Sequence, residues 1–259
     1  MTNIKMIVTD LDRTLLRPDK TISAYTADVL CRCQERGIKV VFATARSENS
    51  CKRFIEQVRP DAIISNGGAM VRIGEEMIYR AAIDMNTSNN LLSACLSKRN
   101  IGYITVDTDN GYFVNKPVDE NDPGWFEYLP AFHVDFSNGL GCNAYKITVE
   151  ITDEPTAYEI ASLFPTVGVI PFSGEGWYRY ADEKATKWCG IKALSEYSCV
   201  SIEEIAAFGD DFNDLEMLKN CGIGVAVANA IDEVKSVADF VCDTNDNDGV
   251  AKWIEVNVV

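Results

Sequence analysis

The stretch that decides the fold is IVTDLDRTLL at residues 7–16, an apolar, β-branched run that stops at two aspartates, Asp10 and Asp12. Side chains two residues apart lie on the same face of a strand, so both carboxylates should point the same way at the strand's end. Two like charges held this close repel each other. The pattern therefore predicts that a cation lies between them or that one of the acids carries a proton.

Short apolar runs of this kind recur at both ends of the chain and alternate with helical segments. The expected strands lie at residues 4–10, 38–44, 61–65, 205–210, 222–227 and 239–243. Helices are expected from Ser23, an N-cap, to Gly37, from Ser47 to about Val58, over about 211–220 and from about 231. Near-continuous apolar strands alternating with helices predict an α/β core built on a doubly wound, Rossmann-like parallel sheet.

The middle of the chain has a different pattern, in which strands pair as hairpins. Two β-type runs flank Asp109-Asn110-Gly111, a strong hairpin signal. Further strands are expected at 144–151, 166–172 and 176–181, with helices at 86–99 and 154–164. The sequence thus predicts a core domain made of residues 1–82 and 183–259 and an inserted α+β domain at residues 83–182.

Polar residues gather at four of the expected strand ends. Ligands of an open parallel sheet bind outside the carboxyl ends of its strands. The residues found there are Asp10 and Asp12, Thr44 and Arg46, Asn66, and Asp210, Asp211, Asn213 and Asp214. A cluster of acids without histidine or cysteine is a hard-oxygen site, which favours Mg²⁺ over zinc. The cation required between the first two aspartates is therefore expected to be Mg²⁺.

Composition excludes several classes of partner. The 259 residues are 47% hydrophobic and 24% charged, typical of a soluble globular protein, and the net charge is −15. This charge argues against nucleic acid or an anionic membrane as a partner, and an anionic substrate would need a local cation. The nine cysteines are scattered and odd in number, which predicts reduced thiols in the cytoplasm. The sequence leaves the oligomeric state open and allows a monomer.

The chain resembles the haloacid dehalogenase superfamily, and within it the Cof-type phosphatases with an inserted class IIB α+β cap. DLDRTLL (10–16) is similar to the family's Asp-x-Asp-x-Thr opening, and ATAR (43–46) to its strand end with a small hydroxyl residue. SNGG (65–68) is similar to its Asn-Gly loop and GDDFND (209–214) to its acidic motif. The order and spacing of the four motifs make the resemblance specific and extend it over nearly the whole chain.

The resemblance implies a role for each of these residues. Asp10 would be the nucleophile that forms an aspartyl-phosphate, and Asp12 the general acid and base. Mg²⁺ would be held by the Asp10 and Asp210 side chains and the Asp12 backbone carbonyl, with Asp214 supporting them. Thr44 would bind a phosphate oxygen. Asn66 and Asn213 are further candidates for substrate contact, although Asn66 could simply close a turn and Asn213 could face solvent on a helix.

Two departures from the family pattern concern basic residues. A lysine should neutralise the phosphoryl group. The segment EKATKWCGIKAL (183–194) lacks the glycine that usually follows this lysine, so Lys187 is favoured by its distance from Leu194 and Lys184 is the alternative. Arg13 stands where the family commonly has glycine. It is expected to be a solvated arginine at a loop edge, with binding of an anionic substrate as the alternative.

Four functional alternatives follow. The leading one is a Mg²⁺-dependent phosphatase acting on small phosphorylated metabolites, with sugar phosphates as the expected substrates. A phosphotransferase on the same scaffold is equally compatible with the motifs. A dehalogenase would not need Asp12 or GDDFND, and a silent binding protein would not need Asp10 and Asp12. His133, the only histidine, is expected to be structural or exposed, and Arg46 is expected to be a surface charge, with a role in the site as the alternative. The cap would supply the substrate contacts, with candidates Asn143, Lys146, Trp177, Tyr178 and Arg179.

Overall fold

The structure, a computed structural model, describes residues 4–259 apart from the side chains of residues 123, 124 and 127. Its strands are β1 (Met6–Thr9), β2 (Lys39–Ala43), β3 (Ala62–Ser65), β4 (Met70–Ile73), β5 (Glu76–Arg80), β6 (Ile101–Thr108), β7 (Gly111–Val114), β8 (Ala131–His133), β9 (Lys146–Ile151), β10 (Val167–Pro171), β11 (Trp177–Asp182), β12 (Ile205–Gly209), β13 (Ile223–Val227) and β14 (Phe240–Cys242). Its α-helices are α1 (Ala24–Glu35), α2 (Lys52–Val58), α3 (Met85–Leu96), α4 (Glu154–Ser162), α5 (Lys187–Ser198), α6 (Leu215–Asn220), α7 (Asp232–Val237) and α8 (Gly249–Asn257).

The chain divides into two compact units. One contains the residues up to Arg80 together with Thr186–Val259, and the other contains Ala81–Ala185. The sequence placed these limits at 82 and 183. Among the described residues, no helix is both long and apolar enough to cross a bilayer.

The first unit is built on an eight-stranded sheet in the order β14-β13-β12-β1-β2-β3-β4-β5. The strands from β14 to β3 are parallel, whereas β4 and β5 pair antiparallel at one edge. This confirms the predicted α/β class. The chain proceeds from β1 towards β2 and β3, and later from β12 in the opposite direction, so β1 and β12 flank the point where the strand order reverses. Crevices at such points are the usual ligand sites of open α/β sheets.

The central strands are buried along their whole length because helices cover the sheet. All residues of β1 and β12 are buried, as expected for apolar strands in a parallel sheet. Helix α1 begins as predicted after Ser23, whose hydroxyl accepts a hydrogen bond from the Thr26 amide. The covering helices thereby hold the ends of β1 and β12 in place within the sheet.

The second unit is built on a six-stranded sheet in the order β10-β11-β9-β6-β7-β8, antiparallel except between β7 and β8. The hairpin predicted around Asp109-Asn110-Gly111 is confirmed, since β6 and β7 pair directly across it. An apolar core that includes Leu91, Ile147 and Ile160 joins the sheet to α3 and α4. His133 lies in β8 and is exposed, as expected.

Five elements differ from the sequence prediction. Helix α2 begins at Lys52 instead of Ser47, because Ser47 and Ser50 bond to each other and to local backbone in a preceding turn. The β4–β5 hairpin, strand β8 and helix α8 were not predicted. The hairpin turns at Gly74, whose φ is +56°.

Candidate active site

Asp10 follows β1 directly and begins the loop that carries Asp12. The Asp10 amide donates to the Phe208 carbonyl of β12, at 3.0 Å, which ties the start of the loop to the neighbouring strand. Leu11–Leu15 then form a single irregular turn in which Arg13 has a φ of +57°. Asp10 is buried, with 6% of its surface exposed. The first aspartate of the motif is therefore held on a rigid strand end.

Lys187 provides a cation beside the first aspartate. Its Nζ lies 2.6 Å from Asp10 Oδ1 and 2.6 Å from Asp214 Oδ1, and 2% of its side chain is exposed. Burial opposes the charge of this ammonium group, but the Asp10 and Asp214 carboxylates raise the pKa of Lys187 overall. Lys184, the alternative, is exposed. The structure thus brings Lys187, and not Lys184, to the acids.

Two close packing contacts hold the start of α5, where Lys187 lies. Gly68 has a φ of +101°, and a Cβ there would lie 2.0 Å from the carbonyl carbon of Thr186 and 2.5 Å from the Lys187 amide nitrogen. A Cβ on Gly190 would lie 2.7 Å from Ile64 Cγ2 in β3. The Asn-Gly loop therefore needs glycine so that α5 can approach the sheet.

Asp210 and Asp214 occupy the end of β12 and the turn that follows it. Asp214 is fully buried, and its Oδ2 accepts from the backbone amides of Asp210 and Asp211, at 2.9 and 3.1 Å. Thr14 Oγ1 donates to Asp210 Oδ1 at 2.7 Å. Asp211 is the N-cap of the same turn, where its side chain accepts from the Phe212 amide. Thr14 is a contact that the sequence did not predict, although it belongs to the opening motif.

The three buried acids can jointly hold a cation. One carboxylate oxygen from each of Asp10, Asp210 and Asp214 lies within 4.8 Å of the other two. Burial, partly offset by Lys187, raises the pKa of Asp10 to about 7, and burial together with the Asp10 charge raises that of Asp210 to about 8. Such shifts mark an excess of negative charge that a divalent ion would relieve. An all-oxygen donor set fits Mg²⁺.

Asp12 points its carboxylate at two basic residues. Arg46 Nε lies 2.6 Å from Oδ2 and Arg46 Nη2 2.7 Å from Oδ1, while Lys20 Nζ lies 2.7 Å from Oδ1. Burial raises the pKa of Asp12, but the hydrogen bonds and charges of Arg46 and Lys20 lower it to about 2. Arg46 was expected to be a surface charge; this is wrong, since 5% of its surface is exposed. Lys20 was not predicted.

The remaining predicted site residues follow neighbouring strands. Thr44 is buried after β2, and its Oγ1 accepts from the Arg46 amide at 3.1 Å. Asn66 is buried after β3 with a φ of +52°, and its backbone amide donates to the Arg46 carbonyl at 2.8 Å. Asn213 lies in the turn before α6, where its Oδ1 is buried without a hydrogen-bond donor among residues 4–259. That acceptor atom suits a cation or a donor group of a ligand.

The five residues proposed as substrate contacts in the inserted domain have varied surroundings. Asn143 accepts from the Met85 amide, and Lys146 pairs with Asp107 at 3.4 Å. Tyr178 belongs to the apolar core of its unit, Trp177 is half-buried, and Arg179 is buried and donates to the Ala185 carbonyl at 3.2 Å. Asn143 and Tyr178 thus have structural roles in their own unit.

Comparison with known proteins places these features in one family. The sequence model of the haloacid dehalogenase-like hydrolases matches residues 7–254. The chain is 28% identical to 5-amino-6-(5-phospho-D-ribitylamino)uracil phosphatase YitU of Bacillus subtilis, covering 96% of each protein. It is 29% identical to phosphatase YwpJ of the same organism, covering 97% of this chain and 99% of that one.

Solved structures agree with the sequence comparison. The HAD subclass IIB sugar phosphatase BT4131 superimposes with a TM-score of 0.86 at 25% identity, covering 97% of this chain and 98% of that one. The phosphatase BT1666 from Bacteroides thetaiotaomicron superimposes with a TM-score of 0.82 at 29% identity, covering 98% of this chain and 94% of that one. With the family's sequence model spanning nearly all of it, the chain belongs to the haloacid dehalogenase-like hydrolases and is a phosphatase of the Cof type.

Proposed function

We propose that the protein is a Mg²⁺-dependent phosphatase that hydrolyses small phosphorylated metabolites, chiefly sugar phosphates, through an aspartyl-phosphate on Asp10. The observation that carries this proposal is the buried contact of Lys187 Nζ with Asp10 and Asp214, 2.6 Å to each, at the reversal point of the sheet. A lysine in this position can neutralise both the nucleophile and the phosphoryl oxygens.

The chemistry divides into two displacements at phosphorus. A carboxylate oxygen of Asp10 attacks, the bond to the substrate oxygen breaks, and the leaving alcohol takes a proton from Asp12. Water then attacks the aspartyl-phosphate while Asp12 accepts its proton, which releases inorganic phosphate and restores Asp10. Thr44, Asn66 and Asn213 are proposed to contact the phosphoryl oxygens together with Lys187.

The contacts of Asp12 impose a condition on these two displacements. Held by Arg46 and Lys20, it is a carboxylate, the form that a base requires. To act as an acid it must leave these partners and take up a proton before the leaving group departs. While Arg46 and Lys20 hold Asp12 as a carboxylate, they therefore favour the second displacement, in which Asp12 acts as the base.

The residues at the acid cluster fit a bound Mg²⁺. The side chains of Asp10 and Asp210 and the backbone carbonyl of Asp12 would hold it, and Asp214 would orient its neighbours through the Asp210 amide and Lys187. When bound, the ion would supply positive charge next to the phosphoryl group. No cysteine or histidine belongs to the acid cluster.

The names of the similar proteins guide the choice of substrate. One carries a phospho-D-ribityl group in the name of its substrate, and another is described as a sugar phosphatase. Both descriptions place the phosphate on a polyhydroxylated carbon chain. We therefore propose the phosphate esters of sugars and sugar alcohols as substrates here.

The proposal is tested by release of inorganic phosphate from sugar phosphates, sugar-alcohol phosphates, nucleotides and pyridoxal phosphate, with Mg²⁺ and with a chelator. We expect Mg²⁺-dependent release that is fastest with the first two groups. Release that is unchanged by chelation would contradict the metal assignment. An added alcohol in a parallel reaction detects the phosphotransferase alternative, which would give a phosphorylated alcohol in place of free phosphate.

The role of Asp12 predicts a dependence on the leaving group. In the Asp12→Asn variant, kcat/KM for an alkyl phosphate should fall roughly 10²–10⁴-fold because a poor leaving group needs a proton. For p-nitrophenyl phosphate, whose leaving group is stable as an anion, the fall should be much smaller. Steady-state kinetics with both substrates checks this. Equal losses on both would show that Asp12 is not the acid.

The raised pKa values of Asp10 and Asp210 predict how Mg²⁺ stabilises the fold. Both folded-state values, about 7 and about 8, exceed the ordinary 3.8, so without metal their stabilising contribution is complete below about pH 4 and lost as pH rises through 7 to 8. Mg²⁺ needs the charged forms. It should therefore raise Tm more at about pH 8.5 than at about pH 5.5.

Thermal unfolding with and without Mg²⁺ at the two pH values measures this effect. At free Mg²⁺ about 100 times Kd, the stabilisation should reach about 2.7 kcal/mol. The Asp210→Asn variant should lose most of it, whereas Asp211→Asn, which changes a neighbouring capping acid, should keep it. Equal shifts of Tm at both pH values would contradict competition between Mg²⁺ and protons for these acids.

A further inference from the structure

Arg13 lies in a strained backbone position beside the acid cluster. Its φ of +57° is in the left-handed region, where the Cβ of an ordinary residue crowds the following carbonyl oxygen. The loop is held there by Asn229, whose Nδ2 donates to the Arg13 carbonyl at 2.7 Å. Residues kept in such conformations gather at ligand-binding and catalytic sites. Arg59 shares this kind of strain, so it is the combination of the strained backbone with a place beside the acid cluster that suggests a function for Arg13.

The Arg13 side chain extends along the solvent side of the buried acids. Its Nε lies 3.7 Å from Asp210 Oδ2, and 49% of the side chain is exposed, against 3% for Asp210. At 3.7 Å the two opposite charges attract each other. Arg46 and Lys20 lie against Asp12 instead, with hydrogen bonds of 2.6–2.7 Å. Arg13 thus contacts both the acid cluster and solvent.

The chemistry of a guanidinium group defines what it can bind there. Its planar fork of N–H donors matches a carboxylate or a phosphate, which it can hold through two hydrogen bonds. Lys187, nearly fully buried against Asp10, serves the phosphoryl group that is transferred. In a chain of net charge −15, a second anionic group on the substrate needs a cation of its own outside the acid cluster.

We propose that Arg13 is a specificity-determining residue that binds a second anionic group of the substrate, a carboxylate or a second phosphate. The inference rests on the proposed phosphatase function and narrows its substrates to phosphorylated metabolites that carry a further negative charge. The expected solvated arginine at a loop edge is confirmed, since Arg13 is exposed, and it lies beside the acid cluster.

The test compares kcat/KM within two pairs of substrates that differ by one anionic group. The carboxylate pair is 3-phosphoglycerate and glycerol 3-phosphate, and the phosphate pair is fructose 1,6-bisphosphate and fructose 1-phosphate. The wild type should prefer the member with the extra charge in at least one pair. In Arg13→Gly that preference should fall at least about tenfold, chiefly through KM, because a charged hydrogen-bonding partner is removed.

Arg59→Gly is the matched control. Arg59 also has a left-handed φ, +53°, but it is an exposed residue at the end of α2, so the change removes the same side chain and the same strain. The preference of the wild type should persist in this variant. Arg13→Lys keeps the charge without the fork and should restore part of the preference. The substrate pair in which the preference is lost shows whether Arg13 binds a carboxylate or a second phosphate.

Two results would overturn the inference and leave the phosphatase function standing. One is phosphate release by the wild type with no preference in either pair. The other is a preference that Arg13→Gly and Arg59→Gly keep to the same extent, which would limit Arg13 to electrostatic support of Asp210. If the wild type released no phosphate from any of the four compounds or from the wider panel, the proposed function would fail together with the inference.

Discussion

Replacing Asp10 by asparagine should lower phosphate release by at least about 10³-fold, because an amide oxygen cannot form the covalent intermediate. Asparagine has nearly the volume of aspartate and stays neutral, so the fold should persist in a site where burial already raises the pKa of Asp10 to about 7. The measurement is steady-state phosphate release, with circular dichroism to establish that the variant is folded.

Asp211→Asn provides the control for this experiment. Asp211 carries the same functional group in the same strand-end region, but its side chain accepts from the Phe212 amide as a cap. Asparagine caps as well as aspartate does, so turnover should remain close to that of the wild type. Substantial turnover by folded Asp10→Asn would rule out Asp10 as the nucleophile.

Replacing Lys187 by alanine should damage both stability and activity. Asp10 and Asp214 would lose the buried cation that lies 2.6 Å from each, and breaking a buried ion pair from one side costs about 3–5 kcal/mol. The loss of folding stability should be smaller at about pH 5.5, where the buried acids can take up protons. Turnover should fall roughly 10²–10³-fold because a charge that stabilises the transition state is removed.

Lys184→Ala is the matched control, since Lys184 is exposed and lies three positions earlier in the chain. Its free energy of unfolding should stay within about 0.5 kcal/mol of the wild type. Chemical denaturation at the two pH values gives the comparison. Similar effects of the two lysine variants would contradict the central position assigned to Lys187.

The parallel core could be predicted because its signals are local. The apolar run that ends at Asp10, the Ser23 cap and the Asp109-Asn110-Gly111 turn each specify a structure within a few residues. The β4–β5 hairpin and α8, which were not predicted, also have local signals. These are the Gly74-Glu75 turn between two β-type runs, and Val250, Ala251 and Ile254 at helical spacing.

The sequence could predict which residues of the site lie at converging strand ends, but it could not predict how their side chains pair. Asp10, Asp210, Asp214 and Lys187 meet because the sheet order brings β1, β12 and the start of α5 together. The pairing of Asp12 with Arg46, and of Thr14 with Asp210 across 196 positions, depends on side-chain directions that no local pattern encodes. The ion pairs of Asp12 in turn decide its protonation, which residue type alone leaves open.

The most direct test of the account is to trap the covalent intermediate during turnover. Borohydride reduces an acyl phosphate and would convert the phosphorylated aspartate to homoserine, which peptide mass spectrometry locates in the chain. We expect homoserine at position 10, formed only when substrate and Mg²⁺ are both present and absent from Asp10→Asn. An unmodified Asp10 under conditions of rapid phosphate release, or a modified residue elsewhere, would contradict catalysis through an aspartyl-phosphate on Asp10.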